Sequence, residues 1–188
     1  MRKLILALTI CLFVFSVQAQ KYIPVIKTGT LLKYTAYSRA LGQGIPLSLA
    51  IIKLDTAVSM KWTIEGYGTG TIVIPPQSVK SATKMSLHEP DPDGVTTLKK
   101  NETLAILSKD TFNSLTSAKS FVLNGQTFNV VPLTAPFMIS SKEADVLYAE
   151  TPNGKTKLWI LNNPDFPLVC KLTGGPQGVD LTLTDLVE

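Results

Sequence analysis

The chain is poor in the residues that most enzymes and metal proteins depend on. It has one histidine, His88, and two cysteines, Cys11 and Cys170. A single histidine rules out a multi-histidine metal site, and no neighbour of His88 supplies a second ligand or a catalytic partner. Glu89 would point to the opposite face of a strand, so the histidine reads as a surface or strand-end residue. No Gly-x-Ser-x-Gly elbow surrounds Ser78, Ser108 or Ser140, and no phosphate loop is present. Gly66, Gly68 and Gly70 imitate a dinucleotide fingerprint, but a strand follows them where a helix would be needed. Basic runs with interleaved aromatics are missing too, Lys99-Lys100 being the densest cluster, so nucleic acid is not an expected partner. These absences predict neither an enzyme nor a bound cofactor.

Past its first residues the chain also lacks any apolar run of roughly 18 residues, so no membrane-spanning helix is expected there. The start is different. Arg2 and Lys3 precede an apolar run from Leu4 to Val17, broken only by Thr9 and Ser16, and Val17-Gln18-Ala19 ends it with small residues. That run of about fourteen residues is short of the roughly 20 that a spanning helix needs. Residues 1–19 are therefore expected to be a cleaved signal peptide, with Gln20 as the new amino terminus. Cys11 sits inside the run, after Ile10, which does not fit a lipid-modified cysteine. Loss of Arg2 and Lys3 halves the formal net charge of +4. Only Cys170 would remain, so no internal disulfide can form. An exported domain without disulfides fits a bacterial envelope, periplasmic or extracellular, better than a eukaryotic secretory route. The sequon Asn101-Glu102-Thr103 would matter only in a eukaryotic host.

Residues 20–188 form one domain by length, with neither a repeat nor a linker to divide them. They read as short alternating apolar runs between turn residues. Strands are expected at Leu31 to Ser38, Pro46 to Asp55, Val58 to Tyr67 and Gly70 to Ile74, the last stopped by Pro75-Pro76. In the third, Val58, Met60, Trp62 and Ile64 share one face, with Ser59, Lys61, Thr63 and Glu65 opposite, the division a half-solvated strand shows. Thr83 to His88 and Val95 to Lys99 flank the turn Glu89-Pro90-Asp91-Pro92-Asp93-Gly94. That turn matches the early positions of a calcium loop, but Lys100 stands where the closing glutamate belongs and two prolines stiffen it. Ser108 reads as the N-cap of a single helix, Lys109 to Ser117, with Asp110 in its first turn. Asn124-Gly125 and Asn153-Gly154 signal hairpins between flanking strands. Leu168 to Leu172 and Val179 to Leu186 close the chain. Cys170 shares a face with Leu168 and Leu172 and reads as a buried, inert thiol.

The sum predicts an all-β fold, an antiparallel curved sheet or half-barrel with one short helix. An outer-membrane barrel is disfavoured, since aromatics make up 7% of the chain and mark no girdle. Lys157-Leu158-Trp159-Ile160-Leu161, the turn Asn162-Asn163-Pro164-Asp165-Phe166, Pro167-Leu168-Val169 and the final strand Asp180 to Leu186 resemble the closing strands of periplasmic lipoprotein-carrier-like half-barrels and related exported bacterial domains. The resemblance implies an incomplete barrel with an apolar concave face suited to acyl chains and Ser108 to Ser117 as a lid helix. It supplies no catalytic residues. The leading expectation is a lipid-like ligand held against Met60, Trp62, Ile64 and Trp159. The alternative is an adaptor that docks an envelope protein on an exposed edge strand such as Leu31 to Ser38.

Overall fold

The computed structural model describes residues 21–87, 90–175 and 178–188. The signal-peptide reading, Cys11, His88 and Glu89 lie outside the described residues. Half of the described residues are strand and 9% are helix, as the alternation predicts.

The first four strands form an antiparallel meander: β1 (Leu31–Ser38), β2 (Gln43–Leu54), β3 (Val58–Ile64) and β4 (Gly68–Ile74). Their inner faces are the apolar positions of the alternation. Leu32, Tyr34, Leu49, Ile51, Val58, Met60, Trp62, Ile72 and Ile74 are all buried, whereas Lys33, Lys61 and Thr63 face water. The second half of the chain supplies β8 (Ser120–Leu123), β9 (Gln126–Val130), β12 (Val146–Glu150), β13 (Lys157–Leu161), β14 (Val169–Thr173) and β15 (Val179–Val187). β15 pairs along the whole of β1 and joins the two halves into one 11-stranded sheet. Its order is β6-β4-β3-β2-β1-β15-β14-β13-β12-β9-β8, where β6 is Val95–Thr97. The described strands form no closed barrel.

This order corrects one expectation. β1 is not an edge strand; it lies in the middle of the sheet, hydrogen-bonded to β2 on one side and β15 on the other. The edges are β6 and β8. A second correction concerns the helices, of which the described residues contain two. Pro75 and Pro76 stop β4 and at once start the helix Pro76–Ser81, because a proline at the first helical position loses no hydrogen bond it would otherwise make. The runs on either side of Glu89–Gly94 do not pair with each other. β5 (Lys84–Met85) runs parallel to β7 (Glu102–Thr103), and β6 runs parallel to β4. The hairpin of β10 (Met138–Ile139) and β11 (Lys142–Glu143) turns through Ser140 and Ser141, both at positive φ.

The helix Lys109–Ser117 begins where the cap predicts. Ser108 Oγ accepts from the Thr111 amide at 3.2 Å and donates to the Ala82 carbonyl at 2.7 Å, tying the helix start to the segment after the first helix. Just before it, Thr103 to Ser108 are six consecutive buried residues that thread the concave side of the sheet. They bond to the start of β14 and the loop before it: the Val169 amide donates to the Ala105 carbonyl at 2.8 Å, and the Leu107 amide donates to the Pro167 carbonyl at 3.0 Å. No described helix is long and apolar enough to cross a membrane.

Candidate functional site

At the end of the sheet that carries the β1–β2 and β3–β4 turns, the concave face is not filled. A cavity of about 250 Å³ remains there. β1 contributes Ala36 and Ser38 to its wall, β2 contributes Ile45, Leu47 and Leu49, β3 contributes Trp62 and Ile64, and β15 contributes Val179 and Leu181. Leu87, Pro90 and Leu104 cover it from the opposite side. Among the described lining residues no side chain is charged, and Ser38 carries the hydroxyl.

The register explains the space. Ala36 stands between Ile45 of β2 and Leu181 of β15, so the small member of that row leaves room above it. On β4, Gly68 and Gly70 face Ile64 and Trp62, and the place of a side chain on either glycine is already occupied. The Trp62 ring leans over Gly70, and Pro92 packs on Gly68, where a Cβ would sit 3.0 Å from the proline's own. Burial falls off along the same strands. Leu32 and Leu49 are sealed, whereas Ala36, Leu47 and Ile64 nearer the turns are partly open. Exposed Leu41, in the β1–β2 turn, lies at the rim.

The expected ligand residues separate into three places. Trp62 and Ile64 are on the cavity wall. Met60 is fully buried one row deeper, opposite Ile51 and Ile72, as core. Trp159 is half-buried on β13 between the sealed Leu158 and Ile160, so it points to the other face of the sheet. There it packs on Tyr148 with ring centroids 4.8 Å apart, and Lys171 Nζ lies 5.0 Å from its centroid. The pairing with β14 slips between Trp159 and Ile160, where Cys170 is the extra residue, and Leu161 is sealed while Trp159 is half-buried. Sequence reading missed Ala36, Leu47 and Leu181, whose alternation was visible but whose meeting depends on the β1–β15 pairing.

Trp62 has a second property. Its ring is inaccessible to solvent, and its Nε1–H meets no acceptor among the described residues. Tyr67 packs nearby, with centroids 5.9 Å apart. A buried donor left without a partner costs roughly 1–3 kcal/mol.

Reactive chemistry finds little support in the placement of the remaining candidates. Cys170 is fully buried, and burial pushes its thiol up to about 12, which removes the thiolate. Beside it, the buried Tyr34 hydroxyl donates to the Val169 carbonyl at 2.9 Å, and burial holds its ionisation well above the usual range. The Asp93 amide donates to Thr69 at 2.6 Å, which folds the Asp91–Gly94 turn against β4. No group of three or more His, Cys, Asp or Glu side chains among the described residues is arranged to hold a metal ion. The helix Lys109–Ser117, expected as a lid, contributes no lining residue; its Phe112 and Leu115 are buried in the core. Two further clefts of about 180 and 300 Å³ share Leu54, Asp165 and Phe166 and carry polar side chains.

The chain is matched by no family model, no curated protein and no solved structure.

Proposed function

We propose that this is an exported, non-enzymatic binding protein that holds an apolar ligand in the cavity walled by Trp62, Ile64, Leu47, Ala36 and Leu181. The observation that carries the reading is the combination of a curved sheet, a cavity of about 250 Å³ and a described wall without charge. Ligand sites are generally concave and mostly apolar, with a few polar groups that set orientation. Here the Ser38 hydroxyl is such a group. The likeness of the closing strands to lipoprotein-carrier-like half-barrels points the same way, and so does the leader-like pattern at residues 1–19.

Binding of an environment-sensitive apolar dye tests the reading. The protein should bind it, and lipid extracted from the expression host should displace it. Ala36→Phe fills the cavity from its floor and should weaken dye binding while the circular dichroism spectrum stays unchanged. Equal binding by wild type and a folded Ala36→Phe variant would move the site elsewhere. Export is tested by expressing the full chain in a bacterium and sequencing the amino terminus of the product, with Gln20 expected first.

A further inference from the structure

We infer that the cavity takes its ligand tail first: a single-chain amphiphile whose straight hydrocarbon tail of about ten carbons lies inside while its polar head stays in water at the mouth. The inference rests on the cavity reading above and names the class of molecule that reading leaves open. The wall is closed at its inner end. There Leu49, Trp62 and Ile72 on β2, β3 and β4, with Leu104 opposite, are all buried. At the other end Ser38, Ile45 and Val179 are partly open, and Leu41 in the β1–β2 turn is 63% exposed. The Ser38 hydroxyl sits at that open end, where its Oγ accepts from the Leu41 amide at 3.4 Å. Next to it in the chain, the Arg39 guanidinium donates to the Gly175 carbonyl and is not part of the wall. A charged head would lose its hydration on entering and gain no partner among the described lining residues. Its tail gains by leaving water.

Volume and depth agree on one chain. An engineered apolar cavity of roughly 150 Å³ accepts the six carbons of benzene, so a cavity near 250 Å³ accepts about ten by the same scaling. Independently, Ile45, Leu47 and Leu49 line the cavity in succession along β2, a span of about 13 Å at the rise of a strand. About ten carbons in an extended chain reach about 11 Å, each bond of about 1.5 Å advancing somewhat less than its own length. One such chain therefore fills the volume and runs the depth. Two chains side by side would each fit over only half that length, and a compact cage of equal carbon count would leave one end empty. Either shape forfeits contacts with the wall around the void it leaves.

Calorimetric titration with straight-chain carboxylates of six, eight, ten, twelve and fourteen carbons, each kept below its micelle concentration, tests this. Affinity is expected to rise about fourfold per added carbon, the gain from burying one methylene, up to about ten carbons and then to stay level. 1-Adamantanecarboxylate, which folds a similar carbon count into a cage, is expected to bind at least about tenfold more weakly than decanoate. Decanol and decyltrimethylammonium should match decanoate to within about threefold, because a head left in water makes only weak charge contacts. Leu49→Ala deepens the inner end and should move the plateau to about thirteen carbons. Ala36→Val is the milder change and should bring the plateau down to about eight. An affinity still rising at fourteen carbons, a cage that binds as well as decanoate, or a preference above about tenfold for one head overturns the tail-first inference and leaves the cavity reading standing. Failure of every probe to bind overturns both. If Leu49→Ala does not fold, the wild-type plateau and Ala36→Val decide.

Discussion

Trp62 and Gly70 stand opposite each other on β3 and β4, with the indole nitrogen 2.7 Å from the place a Cβ on Gly70 would occupy. The glycine is therefore a seat for the ring, and the same seat is bounded by the carbonyls of Gly94 and Asp91. Gly70→Ala ordinarily favours a strand by about 0.5–1 kcal/mol through lost backbone freedom. Here the added carbon meets two backbone oxygens that cannot rotate away, so we expect a net loss of about 1–3 kcal/mol in urea unfolding. A neutral or stabilising substitution would mean that the ring is not seated as described.

Ser108 joins two segments through one hydroxyl, capping the helix Lys109–Ser117 and holding Ala82. Ser108→Ala removes the cap and leaves the Ala82 carbonyl with only Thr111 Oγ1 at 3.1 Å. We expect a cost of about 1–2 kcal/mol, read from thermal or denaturant unfolding with helix content followed by circular dichroism. Ser108→Thr should recover part of it.

The thiol of Cys170 is sealed and pushed up to about 12. A thiol reagent should leave the native protein unlabelled at neutral pH, and labelling should begin only as denaturant unfolds the sheet. Rapid labelling without denaturant would show that β14 opens locally.

Acid stability should depend on Asp185. Its hydrogen bonds to Lys33, at 2.8 Å, and to Ser140 lower its ionisation to about 2 from an ordinary value of 3.8. A carboxylate depressed in the folded state stabilises that state above its unfolded value and loses the contribution as pH falls through its folded one. The window is thus from about pH 4 down to about 2. Thermal melts of the wild type should weaken across it, and Asp185→Asn should flatten that part of the profile. The hairpin β10–β11, tethered by Ser140, should be the region that loosens.

Much of this architecture is legible in the residues. The face shared by Val58, Met60 and Trp62 is the buried face, and Ser108 caps the helix it was expected to cap. The turn signal at Asn124-Gly125 becomes a tight hairpin with φ of 52° and 76°, and Gly154 lies at 66° within the β12–β13 connection. Each of these is a local effect, set by which dihedrals and which faces a side chain tolerates. Other features have no local signal. Ala105 takes φ of 57° in a fully buried crossing, a conformation alanine rarely adopts, and the surrounding bonds to Val169 and Pro167 hold it there. Ser140 and Ser141 form a turn that their residue types do not announce.

The candidate site divides along the same line. Alternation alone placed Trp62 and Ile64 on the inner face. It also grouped Met60 with them, since period two cannot tell a residue beside a void from one packed a row deeper. It grouped Trp159 with Leu161, of which the first is half-buried and the second sealed.

From the order of its residues alone this chain determined its longer strands, its asparagine–glycine turns and the side of the β3 strand that avoids water, because those choices are made within a few residues. Tertiary structure decided that β15 returns to β1, that β1 lies at the centre, and that Ala36 comes to stand between Ile45 and Leu181. Space inside a protein is a property of small side chains brought together across strands, and residues 36 and 181 meet only once the sheet is complete.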